Sequence, residues 1–224
     1  MAVNTGAATE LSRETVVGGV ADEYEIFAEL VAGLTDEQWE AATPCGDASV
    51  RHVAAHIAGI AHDVANFSSA GRSFADHVAD FGDRTQRPMA AAVRELAQAI
   101  GSLLVALDDD AWAGPSPIDG MSMGRAVGLL WHEIYLHSDD IRAGAGLPRV
   151  RGLGLRGSLE HVATTLEARG WGPAVLRLEG APELAVGTGA GRVVSGDAHA
   201  FLLAATGRRE PSLAGLDPSV NIYA

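Results

Sequence analysis

Glu133 and His137 stand four residues apart in Glu133-Ile-Tyr-Leu-His137. On a helix, that spacing puts a carboxylate and an imidazole one turn apart on nearly the same face. His137 also occupies an apolar stripe, with Ile134 three residues before it and Ile141 four after. A second imidazole, His56, follows Val53 by three residues and directly precedes Ile57 on another stripe. Two helices therefore aim one carboxylate and two imidazoles at a common core. Burying an unpaired carboxylate costs several kcal/mol, so the pattern demands compensation. A divalent metal supplies it. Glu and His at i, i+4 reach one ion, and His56 from a facing helix completes a three-ligand set with an open position. The same spacing also suits a core His–Glu hydrogen bond with His56 merely nearby, and spacing alone leaves both arrangements open.

Other polar residues surround this trio in sequence. Asp140, three after His137, is placed to orient the free ring nitrogen of that histidine, or equally to sit solvated near a helix end. Arg84 and Arg87 lie in a loop expected to overhang the bundle end, and Arg208 follows the last helix. Each is a candidate clamp for a carboxylate, although each alone reads first as a surface arginine. His52, one turn before His56, suits a surface or capping role. His132 lies about 100° around the helix from Glu133 and does not share its site. His62, His77, His161 and His199 lack ligand spacing and read as ordinary. Cys45 reads as a packed loop thiol and not a nucleophile. No cysteine stands close to the ligands in sequence. Gly187-Thr-Gly-Ala-Gly191 resembles a nucleotide loop but lacks the helix that should follow.

The elements that must position these residues follow from periodicity. Val16, Val20, Tyr24, Phe27, Val31 and Leu34 form one stripe at steps of three and four. Val53, Ile57, Ile60, Val64 and Phe67 form a second, and Val93, Leu96, Ile100, Leu103 and Leu107 a third. Val127, Leu130, Ile134, His137 and Ile141 form the fourth. One-faced stripes of this kind pack as a helical bundle. Thr35 opens a capping box before a short helix carrying Trp39; Ser49 and Ser122 suit helix starts and Pro88 a first turn. Loops are expected at 43–47, about 70–87 and 114–120, and the fourth helix should end near Gly144. Beyond it come a helix over 153–169 and short runs at 174–179, 183–187 and 191–194, read as a small antiparallel sheet. Asp197 then caps a helix over 198–206 ended by Gly207. The fold class is α+β, with a four-helix bundle over 1–146 and a smaller α+β domain over 147–224.

Composition bounds the function. Sixteen basic residues, all arginine, face twenty-nine acidic ones, a net charge of −13. That balance disfavours nucleic acid and anionic membranes as partners. A single cysteine makes no internal disulfide, so the fold does not require an oxidising compartment. Residues 1–10 (MAVNTGAATE) do not read as a signal peptide, and no stretch is expected to approach the about 20 apolar residues of a membrane helix. The expectation is an acidic, soluble, cytoplasmic protein that acts on a small molecule, with monomer and homodimer both open.

Three segments carry a family resemblance. Residues 43–56 (TPCGDASVRHVAAH) look like the Thr-Pro-Cys…Trp-x-Val-Arg-Asp-x-x-x-His signature of the mycothiol-dependent maleylpyruvate isomerase family, a branch of the DinB-like metal-binding four-helix bundles. Residues 133–142 (EIYLHSDDIR), followed by Gly-Leu-Pro148, resemble that family's Glu-x-x-x-His-x-x-Asp signature. Residues 193–208 (VVSGDAHAFLLAATGR) are similar to the end of the sterol-carrier-like C-terminal domain these proteins often carry. By the resemblance, His56, Glu133 and His137 match zinc ligands one for one. Mycothiol is the implied thiol cosubstrate. The implied chemistry is a metal-bound thiolate adding to an electrophilic small molecule, either cis/trans isomerisation by addition and elimination or S-conjugation. Two positions depart from the pattern: Ala48 stands where the family has Trp, and His52 where it has Asp. Both bear on the substrate more than on the metal. Two other functions remain in view. One is a thiol-independent DinB-like metallo-hydrolase or lyase. The other is a non-enzymatic protein binding a small molecule or lipid, against which three intact polar residues on a core face argue.

Overall fold

The computed structural model describes residues 11–68 and 72–224. The leader reading of residues 1–10 lies outside them, as do residues 70 and 71 of the expected loop. The described chain divides into two compact units, one of them Arg13–Val150, the other residues 151–224 with 11 and 12.

The first unit is built on the four expected stripes. In chain order its helices are α1 (Arg13–Ala32), α2 (Asp36–Trp39), α3 (Val50–Ala65), α4 (Phe74–Phe81), α5 (Gln86–Ala106), α6 (Asp109–Ala113) and α7 (Met123–Gly144). α1 packs on α5 and α7, and α3 packs on the same two, which closes a four-helix ring. Its core holds Tyr24, Phe27, Val31, Val53, Ile57, Val93, Ile100, Ile134 and Ile141, all drawn from those stripes. The caps act locally. Thr35 Oγ1 accepts from the Gln38 N–H at 3.2 Å while Gln38 Oε1 accepts from the Thr35 N–H at 3.0 Å. Ser122 Oγ accepts from the Arg125 N–H at 3.4 Å at the start of α7. Past the end of α7, Tyr135 donates to the Val150 carbonyl at 2.8 Å and Arg149 pairs with Asp139 at 3.0 Å, so the following segment stays with the bundle.

Two expectations are corrected in this unit. The run read as a loop at 70–87 contains α4, opened by Ser73 and Asp76 in a reciprocal capping box and carrying four helical residues of one face, Phe74, His77, Val78 and Phe81. The apolar stretch that composition did not suggest is α5. Among the described residues it is long and apolar enough to cross a membrane by length and composition. Alanines such as Ala91 and Ala99 fill its outer flank, while its inner face packs against α1 and α3.

The second unit contains α8 (Leu153–Ala168), strands β1 (Ala174–Glu179), β2 (Leu184–Val186) and β3 (Arg192–Asp197), and α9 (Ala198–Ala205), followed by two short 3-10 turns. Strand order is β2-β1-β3. β1 and β2 are antiparallel, but β3 lies parallel to β1, so the sheet is mixed and not antiparallel as expected. The glycine run 187–191 explains it. Instead of a nucleotide loop, it carries the chain past the start of β1 to the opposite edge. A Cβ at Gly191 would lie 2.3 Å from the Pro173 carbonyl, so only glycine passes there. Asp197 Oδ1 caps α9 by accepting from the Ala200 N–H at 2.9 Å.

Candidate metal centre

α3 and α7 are neighbours in the ring, and their inward stripes bring the three residues together. His137 is buried like Ile134 and Ile141 of its own stripe, with 5% of its surface exposed. Glu133, one turn below, puts Oε2 3.4 Å from His137 Nε2. His56, half-buried on α3, meets the His137 ring edge-on with centroids 5.3 Å apart. One donor atom from each of His56, Glu133 and His137 lies within 4.8 Å of the others. The sequence trio is therefore one constellation.

Each imidazole has a partner on its far side. Asp140 Oδ2 lies 3.0 Å from His137 Nδ1. Asp140 is only 1% exposed, so it is buried against the ring and not solvated at a helix end. His56 is held by a residue that sequence reasoning passed over. His77 of α4 places Nδ1 2.9 Å from His56 Nδ1, and its Nε2 lies 2.9 Å from Asp63 Oδ2. Phe74, also on α4, packs against His56 with centroids 4.8 Å apart. Gly59 makes room for this approach, since a Cβ there would sit 2.2 Å from His77 Cγ. The signal for His77 was the Ser73-x-x-Asp76 capping box, which marks a helix where a loop was expected.

Cys45 lies nearer the site than its place in the sequence suggests. The thiol distant from the ligands in sequence comes close in space, forming a cluster with His137 and Asp140 whose donor atoms lie within 4.8 Å of one another. A tight turn brings it there. Thr43 Oγ1 donates to the Ala48 carbonyl at 2.8 Å and accepts from the Cys45 N–H at 3.2 Å. Ala48, standing where the family has tryptophan, is buried in this turn.

The remaining candidates do other things. His52 Nδ1 faces the Ser49 N–H at 3.5 Å, a capping position. The Arg84 guanidinium lies 5.0 Å over the Phe81 ring, and Arg87 is exposed. Arg208 belongs to the second unit and donates to the Thr206 carbonyl at 3.1 Å. His132 is fully buried, His62 lies edge-on to Phe81, and His161 and His199 belong to the second unit. A cavity of about 360 Å³ in the bundle is lined by apolar side chains such as Val64, Leu104, Ile118, Val127 and Leu130, and none of the three donors forms its wall.

Electrostatics distinguishes the two imidazoles. Burial, with His137 and His77 alongside, pushes His56 down to about 4, so its ring is neutral and keeps a lone pair. Burial opposes charge on His137 as well. Hydrogen bonds to Asp140, Cys45 and Glu133 overcome it and hold this histidine well above its ordinary value. Two carboxylates thus call for positive charge at His137, while His56 offers an uncharged nitrogen. A neutral imidazole, a second imidazole oriented by a carboxylate, and a carboxylate together are a donor set that fits a divalent ion.

Residues 20–142 match the family described as the mycothiol maleylpyruvate isomerase N-terminal domain, a span that includes all three donors. No curated protein sequence is significantly similar. Two solved structures share the fold across both units. One, titled a mycothiol-dependent maleylpyruvate isomerase, has a TM-score of 0.59 at 14% identity and covers 89% of this chain and 90% of its own. The other, a histidine-to-alanine variant under the same title, has a TM-score of 0.58 at 13% identity with the same coverage.

Proposed function

Because the chain belongs to the mycothiol maleylpyruvate isomerase N-terminal domain family, we propose that it is a metal-dependent enzyme using mycothiol to isomerise or conjugate an electrophilic small molecule. The observation that carries this reading is the convergence of His56, Glu133 and His137 within 4.8 Å, inside the family-matched span. These three would hold the ion, with zinc the first candidate: two nitrogens and one oxygen leave a position for an exogenous donor, as catalytic sites do. When bound, the ion supplies Lewis acidity that keeps the cosubstrate thiol ionised well below its free value of about 8.5.

The chain's own residues prepare that chemistry. Asp140 fixes the His137 ring so that Nε2 faces Glu133. Burial keeps bulk water from His137 and Asp140, while His56 and Glu133 stay half-buried and within reach of an incoming thiol. Mycothiol would supply the nucleophile there, a thiolate able to add to a cis carbon–carbon double bond conjugated to a carbonyl. A C–S bond forms and the π pair moves to the carbonyl oxygen. Rotation about the new single bond follows. Return of the pair expels the thiolate and leaves the trans alkene. An acceptor that takes a proton at carbon, or that carries a leaving group, keeps the C–S bond instead and gives the S-conjugate.

The test is an assay of the metal-loaded protein with maleylpyruvate, with and without mycothiol. Thiol-dependent appearance of the trans product supports isomerase action, and accumulation of a stable adduct supports conjugation. Turnover that ignores the thiol contradicts the proposal.

A further inference from the structure

We propose that Asp63 and His77 form a proton-ordering relay that makes His56 present its Nε2 lone pair to the site shared with Glu133 and His137. The relay is read from hydrogen bonds within the protein; its consequence for metal binding rests on the function proposed above.

The order of protons follows from what each atom can do. Asp63 is 5% exposed, and both its oxygens are engaged by donors. Arg72 reaches Oδ1 at 3.1 Å and Ser68 Oγ reaches it at 3.3 Å, with His62 Nδ1 at 3.4 Å. Oδ2 faces His77 Nε2 at 2.9 Å. A carboxylate paired with a guanidinium only accepts, so His77 carries its proton on Nε2. A neutral imidazole protonated there has a bare Nδ1, which accepts. That atom lies 2.9 Å from His56 Nδ1, so the proton between the two rings belongs to His56. His56 Nε2 is left without one. His77 is 3% exposed, so water does not substitute for either bond. The arrangement is built into the fold: His56 and Asp63 stand seven residues apart on one face of α3, His77 bridges them from α4, and Gly59 leaves space for its ring.

Nitrogen-15 NMR of histidine-labelled, metal-free protein reads this directly. The expected pattern is a protonated Nδ1 and bare Nε2 on His56, with the reverse on His77. In Asp63→Asn, Arg72 keeps the amide oxygen on its side, and the NH₂ then donates to His77 Nε2. The relay runs backwards, His56 is protonated on Nε2, and metal affinity by chelator competition falls roughly 10–100-fold. His77→Phe keeps a ring of similar size and loses affinity in the same range. His77→Gln accepts from His56 and donates to Asp63, and it retains most of the affinity. Wild-type His56 protonated on Nε2 or on both nitrogens overturns the relay. So does affinity within twofold of wild type in both Asp63→Asn and His77→Phe. If a variant does not fold, judged by far-UV circular dichroism, the wild-type tautomers decide alone. A wild-type protein that binds no metal contradicts the proposed function instead, and the tautomer pattern still judges the relay.

Discussion

His137 and His56 face each other across one site but are supported by different parts of the molecule. His137 draws both its carboxylate partners from its own helix, with Glu133 one turn before it and Asp140 three residues after. His56 draws its partner from α4, and that partner is anchored back on α3 by Asp63. The α7 half is a carboxylate–imidazole unit with two acidic side chains on one histidine, and Cys45 lies beside it. The α3–α4 half is a chain of imidazoles ending on an ion pair with Arg72. The first invites a cation whether or not a metal is present. The second keeps a neutral nitrogen ready for one.

Removing each histidine in turn gives the largest test of this contrast. His137→Ala is expected to lower metal affinity on the order of 10³-fold or more, and to destabilise the metal-free protein by about 2–4 kcal/mol, because Glu133 and Asp140 lose their shared positive partner. His56→Ala should lose comparable affinity but less stability, because Asp63 keeps Arg72. Chelator competition and denaturant unfolding measure the two quantities. Equal stability losses in the two variants would break the contrast.

Glu23 sharpens it from another side of the bundle. It is a buried acid answered mainly by the Trp131 indole N–H, 3.4 Å away. Burial raises it from 4.5 to about 7. The native chain therefore holds a proton that the unfolded chain releases above about 4.5. Stability should be full below that pH and fall, by on the order of 3 kcal/mol, as pH rises to about 7. Glu23→Gln should flatten the slope and be the more stable protein at pH 8. A wild-type slope that survives this substitution would assign it to other groups.

Asp140→Asn should cost roughly 10–100-fold in metal affinity with little change in fold, since the amide no longer fixes the His137 ring as a carboxylate does. The smallest effect is expected at His52. His52→Ala removes one long capping contact at 3.5 Å and should change stability by about 0.5 kcal/mol or less, with metal affinity unaltered. An affinity loss there would enlarge the site beyond its present members.

The same contrast explains what could be read from the sequence. The α7 half was legible because its members share one helix, where i, i+3 and i, i+4 spacing translates directly into contact. His56 was legible because it borders the inward stripe of α3, three residues after Val53 and next to Ile57. His77 was not, because its partners lie fourteen and twenty-one residues away and its own helix hides in a short polar segment. Cys45 was passed over for a related reason: it stands ninety-two residues before His137, and hydrogen bonds at Thr43, not periodicity, bring the thiol to it. In the second unit, the strands were readable from alternation. The parallel pairing of β3 was not, since it depends on which side of β1 the glycine run passes.

The central claim is that His56, Glu133 and His137 hold one ion with a position left for an external thiol. X-ray absorption at the metal edge of the purified protein tests it most directly, before and after addition of mycothiol. One metal per chain bound by nitrogen and oxygen alone, gaining a single sulfur at about 2.3 Å when the thiol is added, is the predicted result. A sulfur already present before the thiol is added would make Cys45 a ligand and close the site. Coordination that the thiol leaves unchanged, or a protein without metal, would contradict the account.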